Sequence, residues 1–384
     1  MMKVCVVVCN SIWYDPRVNR QIEVYRVQQD VELCCVGVEC NRYDEKKVEA
    51  YGLPIVIVKK PEKYKGKMKT PIGKVVRELY MYRMIAKAIE EQKPDIIHAN
   101  DLDAFIPAMM AARKLKCKVV YDSHEIYVEN NVVVAAPKIY RDILEFVESK
   151  LVKKCALMVS VSHAAAEYFA KKYDIVEPMV VTNCALKSAR FEGKEKTDKF
   201  EVLNHGQFYA GRGYEIMAQA CELIADYPEI RLAIRGFGVL EESLRKTVAE
   251  QKNPEQFAFY PKVTVQELIP MASKSHVGVA VTIPNCLNFK LSVSNKLFEY
   301  AAAGLPVILS DIPEHRYLND QYDFGLILPE NTPEAFAKAV IQLYTDHELY
   351  ERLSKNALRL AAEVNWENEF ERLLEAERAL TAQK

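Results

Sequence analysis

Residues 292–311 read SVSNKLFEYAAAGLPVILSD, in which a short helical pattern is followed at once by an apolar run. Ser294 belongs to the residue types that cap helices, so the pattern predicts a helix over residues 295–303. Gly304 suits the position just after a helix, and Pro306 begins a run that predicts a buried strand. A helix that leads through a glycine into a buried strand is typical of parallel α/β domains.

The same alternation of strands and helices extends through the whole chain. In the first half it begins with the apolar run at residues 3–9, whose continuity indicates a strand covered on both faces. A charged stretch at residues 183–200 interrupts the alternation, which then starts again. The strands predicted in the second half are residues 201–204, 231–235, 277–281, 306–309 and 325–328.

These patterns predict an α/β protein of two Rossmann-like, doubly wound parallel-sheet domains. We place a first domain at residues 1–183, a linker at 184–199, a second domain at 200–364 and a final helix at 365–384 that could return to the first domain. The domains are expected to face each other across a cleft, with the C-terminal helices packing across it. Ligands of such sheets bind beyond the carboxyl ends of the strands, so the strand-to-helix turns are the candidate sites.

Composition excludes several classes of protein. The 384 residues include 52 Lys and Arg against 53 Asp and Glu, so the chain lacks the basic balance of a general nucleic-acid-binding protein. Ten cysteines lie mostly in apolar runs without a CxxC pair, which indicates reduced thiols and a cytoplasmic location. No stretch approaches the roughly 20 apolar residues that cross a bilayer, so we expect a soluble protein or one peripheral on the inner face of the cytoplasmic membrane.

The helix predicted at residue 295 has the features of an anion site. The N–H groups around Ser294 and Asn295 and the helix dipole attract anions, and Lys296 is expected to add a full positive charge. Glu299 lies about 6 Å further along the same face. This spacing suits a diphosphate at the helix end with a ribose beside the second turn, while the alternative is an ordinary capped surface helix with solvated charges.

Five segments resemble bacterial glycosyltransferase family 4 (group 1) and occur in the order of that family. They are NKLFEYAAAGLPVI at residues 295–308, DPRV at 15–18, PDIIHANDLDA at 94–104, VYDSHE at 120–125 and VSVS at 159–162. The resemblance implies the GT-B fold, with an acceptor-side first domain and a second domain that binds a nucleotide sugar. It implies retaining transfer of a hexosyl unit from a UDP- or GDP-linked donor, without a cofactor, to a saccharide or lipid-linked acceptor in cell-envelope polysaccharide synthesis.

The phosphate loop of the family corresponds here to GQFYAGRG, from Gly206 to Gly213, and departs from the usual pattern. Gln207 stands where the family has an Arg, and Arg212 replaces a Lys. A guanidinium at Arg212 can still grip the diphosphate, although Arg212 could also be a solvated residue at a helix start. One cation is missing from the loop, and our hypothesis is that Lys296 supplies it. Leu291 occupies the position of a glutamate that lies near the donor hexose in relatives, whereas Glu299 matches the one at the ribose.

Other positions carry weaker assignments. Arg235, Gly236 and Gly238 follow a predicted strand and are expected to contact the donor. His124 matches the family histidine beside the reacting sugar, where it would support charge or bond a hydroxyl rather than abstract a proton. The expected acceptor-side residues are Asp15, Arg17, His98 and Asp101, although Asp15 could simply start a helix and His98 could be satisfied in the core.

Two further features leave alternatives open. Asp101 and Asp103 form a DxD pattern that binds metals in other glycosyltransferases, but a role at a helix start is favoured and no metal is predicted. Residues 59–83 hold nine basic and two acidic residues with interleaved aromatics, which fits either an anionic membrane surface or a solvated loop and helix. The rival functions are a nucleotide-sugar epimerase and a non-catalytic nucleotide-sugar-binding protein.

Overall fold

The computed structural model describes residues 1–10, 12, 15–39, 52–60, 71–189 and 195–382. The chain divides into two compact units. The first comprises Met1–Val181 together with Glu369–Lys384, and the second comprises Thr182–Asn368. The C-terminal segment therefore belongs to the first unit, where the Tyr25 and Phe370 rings pack edge to face with centroids 4.9 Å apart.

In the part of the first unit that the structure describes, the sheet has seven parallel strands in the order β3-β2-β1-β4-β5-β6-β7. The central strand is apolar throughout because both faces are covered: Val4 and Val6 are fully buried, and Val4 pairs with Leu33 on one side and Ile96 on the other. The strands are β1 (Met2–Val8), β2 (Val31–Val38), β3 (Ile55–Val58), β4 (Ile96–Asn100), β5 (Lys118–Ser123), β6 (Leu157–Ser160) and β7 (Met179–Val180).

In the described residues of the second unit, six parallel strands repeat this order as β10-β9-β8-β11-β12-β13. Both sheets thus follow the Rossmann order, in which the first strand of the unit lies next to the fourth, and the predicted fold class is confirmed. The strands are β8 (Phe200–Gln207), β9 (Ile230–Phe237), β10 (Phe257–Pro261), β11 (Val277–Ala280), β12 (Val307–Ser310) and β13 (Gly325–Leu328). Strand β10 was not among the predicted strands.

Helices connect the strands in both units. In the described ranges they are α1 (Pro16–Arg26), α2 (Pro71–Gln92), α3 (Asp101–Leu115), α4 (Asn131–Val134), α5 (Lys138–Leu151), α6 (His163–Tyr173), α7 (Tyr214–Ala220), α8 (Glu241–Ala249), α9 (Val265–Ala272), α10 (Leu287–Leu291), α11 (Asn295–Ala302), α12 (Pro313–Tyr322), α13 (Pro333–Thr345), α14 (His347–Glu363) and α15 (Trp366–Ala382). None of these helices is long and apolar enough to cross a bilayer.

Candidate functional site

The helix predicted from the opening sequence is α11, and it begins at Asn295 as expected. Ser294 occupies the N-cap position, but its side chain makes no capping hydrogen bond, so that part of the prediction is wrong. The backbone closes the turn instead, because the Leu297 N–H donates to the Ser294 carbonyl over 3.1 Å. Gly304 lies just beyond the helix with a φ of +70°, in the left-handed region that the prediction required.

Lys296 points from α11 toward the end of β8. Its Nζ donates to Asn204 Oδ1 and to the Tyr214 hydroxyl, each over 2.9 Å. Burial and the nearby charge of Arg212 lower the pKa of Lys296 to about 7, because both disfavour the ammonium form. The expectation of a full positive charge is therefore wrong at neutral pH, where the amine is divided between its charged and neutral forms.

Arg212 lies beside Lys296. Its guanidinium stacks over the Phe289 ring, 4.4 Å from the centroid, and burial lowers the pKa of the group. Asn204 links the Lys296 side chain to the backbone of Arg212, since its Nδ2 donates to the Arg212 carbonyl over 3.0 Å while its Oδ1 accepts from Lys296. Both cations are thus held by neutral and aromatic groups, which prepares them for an anion from outside.

Glu299 lies one turn beyond Lys296 on α11, with its side chain 24% exposed. Its Oε2 lies 2.7 Å from Nε2 of His205, which is buried near the end of β8. The charge of Glu299 also acts on Lys296 and raises the pKa of the amine against the larger lowering effects. The structure therefore brings Arg212, Lys296 and Glu299 together within one unit.

The predicted phosphate loop runs from Gly206 at the end of β8 to Gly213, which is the N-cap of α7. Gly206 has a φ of +124°, and a Cβ at this position would lie 3.1 Å from Cε of Lys296. A side chain would therefore be strained and would crowd the lysine. Gln207 is exposed at the end of β8.

The RGFG segment is explained by packing at the end of β9. Arg235 is buried, stacks over the Tyr260 ring at 4.8 Å and donates from Nη1 to the Pro261 carbonyl. A Cβ on Gly236 would lie 1.8 Å from the Gly206 carbonyl oxygen, so close packing of β8 and β9 requires glycine there. These contacts account for the segment without a donor, and donor binding by Arg235, Gly236 and Gly238 stays a prediction.

In the first unit, His124 follows β5 and is surrounded by carboxylates. Its Nε2 lies 2.8 Å from Asn100 Oδ1 and 3.6 Å from Asp122 Oδ2, and its Nδ1 lies 3.5 Å from Asp101 Oδ2. Burial alone would lower the pKa of His124, but the charges of Asp101 and Asp122 raise it above the ordinary value. A raised pKa favours the imidazolium form, which suits electrostatic support better than a role as general base.

Two residues expected on the acceptor side are instead buried in a network of charges. Arg17 is 2% exposed and holds Asp122 through two bonds of 2.9 Å, and its third nitrogen donates to the Val181 carbonyl. His98 is fully buried, with Nδ1 2.9 Å from Glu377 and Nε2 3.4 Å from Asp122. The acceptor-side assignments of Arg17 and His98 are therefore wrong, because neither reaches the surface.

The remaining acceptor-side candidates lie at helix starts. Asp15 caps α1 by accepting from the backbone N–H groups of Arg17 and Val18, and its Oδ2 lies 3.8 Å from Nδ1 of His124. Asp101 is the first residue of α3 and accepts from the His124 N–H. Burial raises the pKa of Asp101 to about 7 and that of Asp103 to about 6. Within the described ranges, no group of three or more His, Cys, Asp or Glu side chains is arranged to hold a metal ion.

Sequence reasoning missed the residues that hold the charged groups in place. In the second unit these are Asn204, His205 and Tyr214, and in the first unit they are Asn100 and Asp122. All of them except Tyr214 could have been found from the sequence, because each of these four is a polar residue near the carboxyl end of an apolar strand. Of the basic segment 59–83, residues 61–70 lie outside the described part of the chain.

Comparison with known proteins assigns both halves of the chain. The family model described as glycosyltransferase family 4 matches residues 28–187, and the model described as glycosyl transferases group 1 matches residues 187–360. The EpsD protein of Bacillus subtilis (strain 168), provisionally named a glycosyltransferase, is 22% identical over 308 residues, which cover 74% of this chain and 76% of EpsD.

Solved structures agree in fold. Sucrose-phosphate synthase from Thermosynechococcus elongatus is 15% identical with a TM-score of 0.77, and 100% of each chain is covered. HepE from Anabaena in complex with UDP and glucose is 14% identical with a TM-score of 0.72, covering 98% of this chain and 100% of HepE. At these identities the likeness concerns the fold alone. The two family models, which adjoin at residue 187, show that this chain belongs to the group 1 glycosyltransferases.

Proposed function

We propose that this glycosyltransferase moves a hexosyl unit from a nucleotide-diphosphate sugar to a saccharide or lipid-linked acceptor, with retention of configuration and without a metal. The observation that carries the proposal is the cluster of Arg212, Lys296 and Glu299 around the start of α11. The UDP and glucose bound by HepE, which has a similar fold, support a nucleotide-sugar donor. Cell-envelope polysaccharide synthesis remains the setting that we infer from the family.

Donor binding follows from the charges of this cluster. A diphosphate beside α11 would face the helix N–H groups of Ser294 and Asn295 and the two cations. The negative charge of the diphosphate would favour the ammonium form of Lys296. Because the pKa of this amine is about 7 without a donor, part of the amine is neutral and would take up a proton when the donor binds. The Glu299 carboxylate would accept hydrogen bonds from the vicinal hydroxyls of the ribose.

The same groups would promote the chemical step. Cleavage at the anomeric carbon builds negative charge on the diphosphate and positive charge on the sugar. Fixed cations and helix N–H groups stabilise the charge that develops on the leaving group, so they lower the barrier more than they strengthen ground-state binding. We assign retention to attack of the acceptor on the face from which the diphosphate departs, with the leaving phosphate taking the acceptor proton.

We assign the first unit to the acceptor. In this proposal His124 supports the reacting sugar, while Asp15 and Asp101 accept hydrogen bonds from acceptor hydroxyls. The described cysteines are all free thiols, which is consistent with a cytoplasmic location.

We also propose that the first unit contacts an anionic membrane, where lipid-linked acceptors would be found. Val75, Val76 and Leu79 on α2 are exposed, as are Ile139 and Ile143 on α5. The two helices approach each other where the Tyr140 hydroxyl donates to Glu78 over 3.5 Å. Exposed apolar groups beside a segment rich in Lys and Arg are typical of surfaces that bind anionic lipid.

Co-sedimentation with phosphatidylcholine vesicles, with and without phosphatidylglycerol, tests the membrane proposal. We expect binding only with the anionic lipid, and we expect Ile139→Asp combined with Ile143→Asp to weaken it. Val239→Asp is the control, because Val239 is also an exposed apolar residue but lies in the second unit. Equal binding to both vesicle types would refute the proposal.

A panel of UDP-, GDP- and ADP-sugars, assayed for nucleotide release with and without candidate acceptors, tests the main proposal. Release that depends on an acceptor supports glycosyl transfer, and full activity in excess chelator supports a metal-independent reaction. A changed sugar without an acceptor would indicate an epimerase, and binding without turnover would indicate a sensor. Either of these two results would overturn the proposed function.

A further inference from the structure

His205 makes one side-chain hydrogen bond in the described structure, and that bond is to Glu299. The residue is 1% exposed, and its Nε2 lies 2.7 Å from Glu299 Oε2. Among the described residues, the buried Nδ1 has no hydrogen-bond partner. A buried nitrogen without a partner costs free energy, so an apolar side chain would serve the core better. The advantage of histidine over an apolar residue at this position is therefore its hydrogen bond to Glu299.

The imidazole is itself held firmly. Its ring packs against the Tyr300 ring with centroids 4.5 Å apart, and the His205 backbone N–H donates to the Tyr300 hydroxyl over 2.8 Å. The Tyr214 hydroxyl in turn donates to the His205 carbonyl over 3.2 Å. Because an ionised carboxylate only accepts, Nε2 carries the hydrogen and donates to Glu299. A flexible glutamate on α11 is thus anchored to a rigid group on β8.

Adjacent residues of β8 therefore hold the two charged residues of α11 separately. Asn204 accepts from the ammonium group of Lys296, which the proposed function places at the diphosphate. His205 donates to the carboxylate of Glu299, which the proposed function places at the ribose. A carboxylate has about four acceptor sites, so a bond to His205 is compatible with bonds from two ribose hydroxyls.

We propose that His205 is a positioning residue for recognition of the donor nucleoside, acting through Glu299. The proposal rests on the proposed function and deepens it, because it separates recognition of the ribose from recognition of the phosphates. Holding the carboxylate before the donor arrives lowers the conformational cost of binding. The loss of His205 should therefore weaken binding of a nucleoside diphosphate but not of pyrophosphate, which has no ribose.

Calorimetric titration with UDP, GDP, ADP and inorganic pyrophosphate tests this separation. For the nucleoside diphosphate that the wild-type protein binds best, we expect His205→Leu to weaken affinity about tenfold, with pyrophosphate affinity unchanged. His205→Gln places an amide donor near the position of Nε2 and should restore most of the affinity. His205→Asn is the matched control, because its shorter amide does not reach Glu299. If His205→Leu does not fold, the comparison of the Gln and Asn variants tests the same point.

A double-mutant cycle shows whether His205 acts through Glu299. We expect the variant that combines His205→Leu with Glu299→Gln to bind the nucleoside diphosphate no more weakly than Glu299→Gln alone. Additive losses, an equal loss for pyrophosphate, or unchanged binding in His205→Leu would each overturn the positioning role. If the wild-type protein bound none of the three nucleoside diphosphates, the proposed function would fail, and this inference with it.

Discussion

The two units bury charged side chains in opposite ways. In the first unit, Arg17 and His98 are matched by Asp122 and Glu377, all at most 2% exposed and bonded to one another. In the second unit, Lys296 and Arg212 are held by Asn204, Tyr214 and the Phe289 ring, and no ion pair to either cation occurs among the described residues. A compensated network holds a structure together, whereas partly buried cations that form no ion pair attract an anionic ligand.

The pKa values express the same contrast. Burial would raise the pKa of Asp122, but Arg17 lowers it well below the ordinary value. Burial would lower the pKa of His98, but its hydrogen bonds to Asp122 and Glu377 raise it to about 9. For Lys296, the charge of Glu299 only partly offsets burial and the charge of Arg212, and the pKa falls to about 7. The network around Asp122 thus stabilises its charges internally, while the cluster at α11 leaves that role to a ligand.

The largest expected effect comes from breaking the compensated network. Asp122→Ala leaves Arg17 and His98 buried without their shared carboxylate, so we expect a loss of about 3–5 kcal/mol in the free energy of unfolding. Urea denaturation followed by circular dichroism measures it. A loss below about 1 kcal/mol would show that the network is not the structural element described here.

The next effect concerns catalysis. Removing a group that stabilises charge in the transition state costs about 10²–10³ in kcat, and we expect losses of this size for Arg212→Ala and for Lys296→Ala. Steady-state assays with the preferred donor measure them, and Lys290→Ala, at an exposed lysine on α10, serves as the control. If Lys296→Ala retained nearly full activity while Arg212→Ala lost it, Lys296 would not be the second cation.

The lowered pKa of Lys296 predicts a pH dependence. Below pH 7 the amine is already charged in the unoccupied protein, so affinity for a nucleoside diphosphate should be flat; above pH 7 binding must take up a proton, so affinity should fall as the pH rises. The slope approaches tenfold per pH unit at most. Titration in buffers of different ionisation enthalpy measures the uptake. Lys296→Arg should abolish it, and uptake that persists in this variant would contradict the assignment.

The smallest effect is expected at an exposed ion pair in the first unit. Arg378 of α15 holds both carboxylate oxygens of Asp30 at 2.8 and 2.7 Å, but the side chains are 39% and 52% exposed. Solvent screens such pairs, so Arg378→Ala should lower the free energy of unfolding far less than Asp122→Ala does. A loss comparable to that of Asp122→Ala would mean that burial does not decide which ion pairs stabilise this unit.

Much of the fold was predictable from local pattern. Continuous apolar runs predicted the central strands, and Gly304 was placed correctly after α11. Strand β10 (Phe257–Pro261), at one edge of its sheet, was not predicted. Its sequence is short and ends in proline, which edge positions tolerate and which weakens the pattern of a strand.

The candidate site was predictable only in part. The spacing of Lys296 and Glu299 on one helix follows from helical geometry, and their joint placement was expected for that reason. Arg17 and His98 were misassigned because a charged residue after a strand or in a helix start carries no local sign of burial. Their partners lie far away in the chain: Asp122 is 105 residues from Arg17, and Glu377 is 279 residues from His98.

Local interactions, encoded in neighbouring residues, thus specified two Rossmann-like sheets and the helix that carries the charged pair of the second unit. Only the folded structure showed which charged side chains are paired with an opposite charge and which are not, because burial and long-range contacts set the pKa of each group. Lys296 shows the distinction: its position follows from the periodicity of α11, whereas its pKa of about 7 depends on burial and on Arg212, 84 positions earlier in the chain.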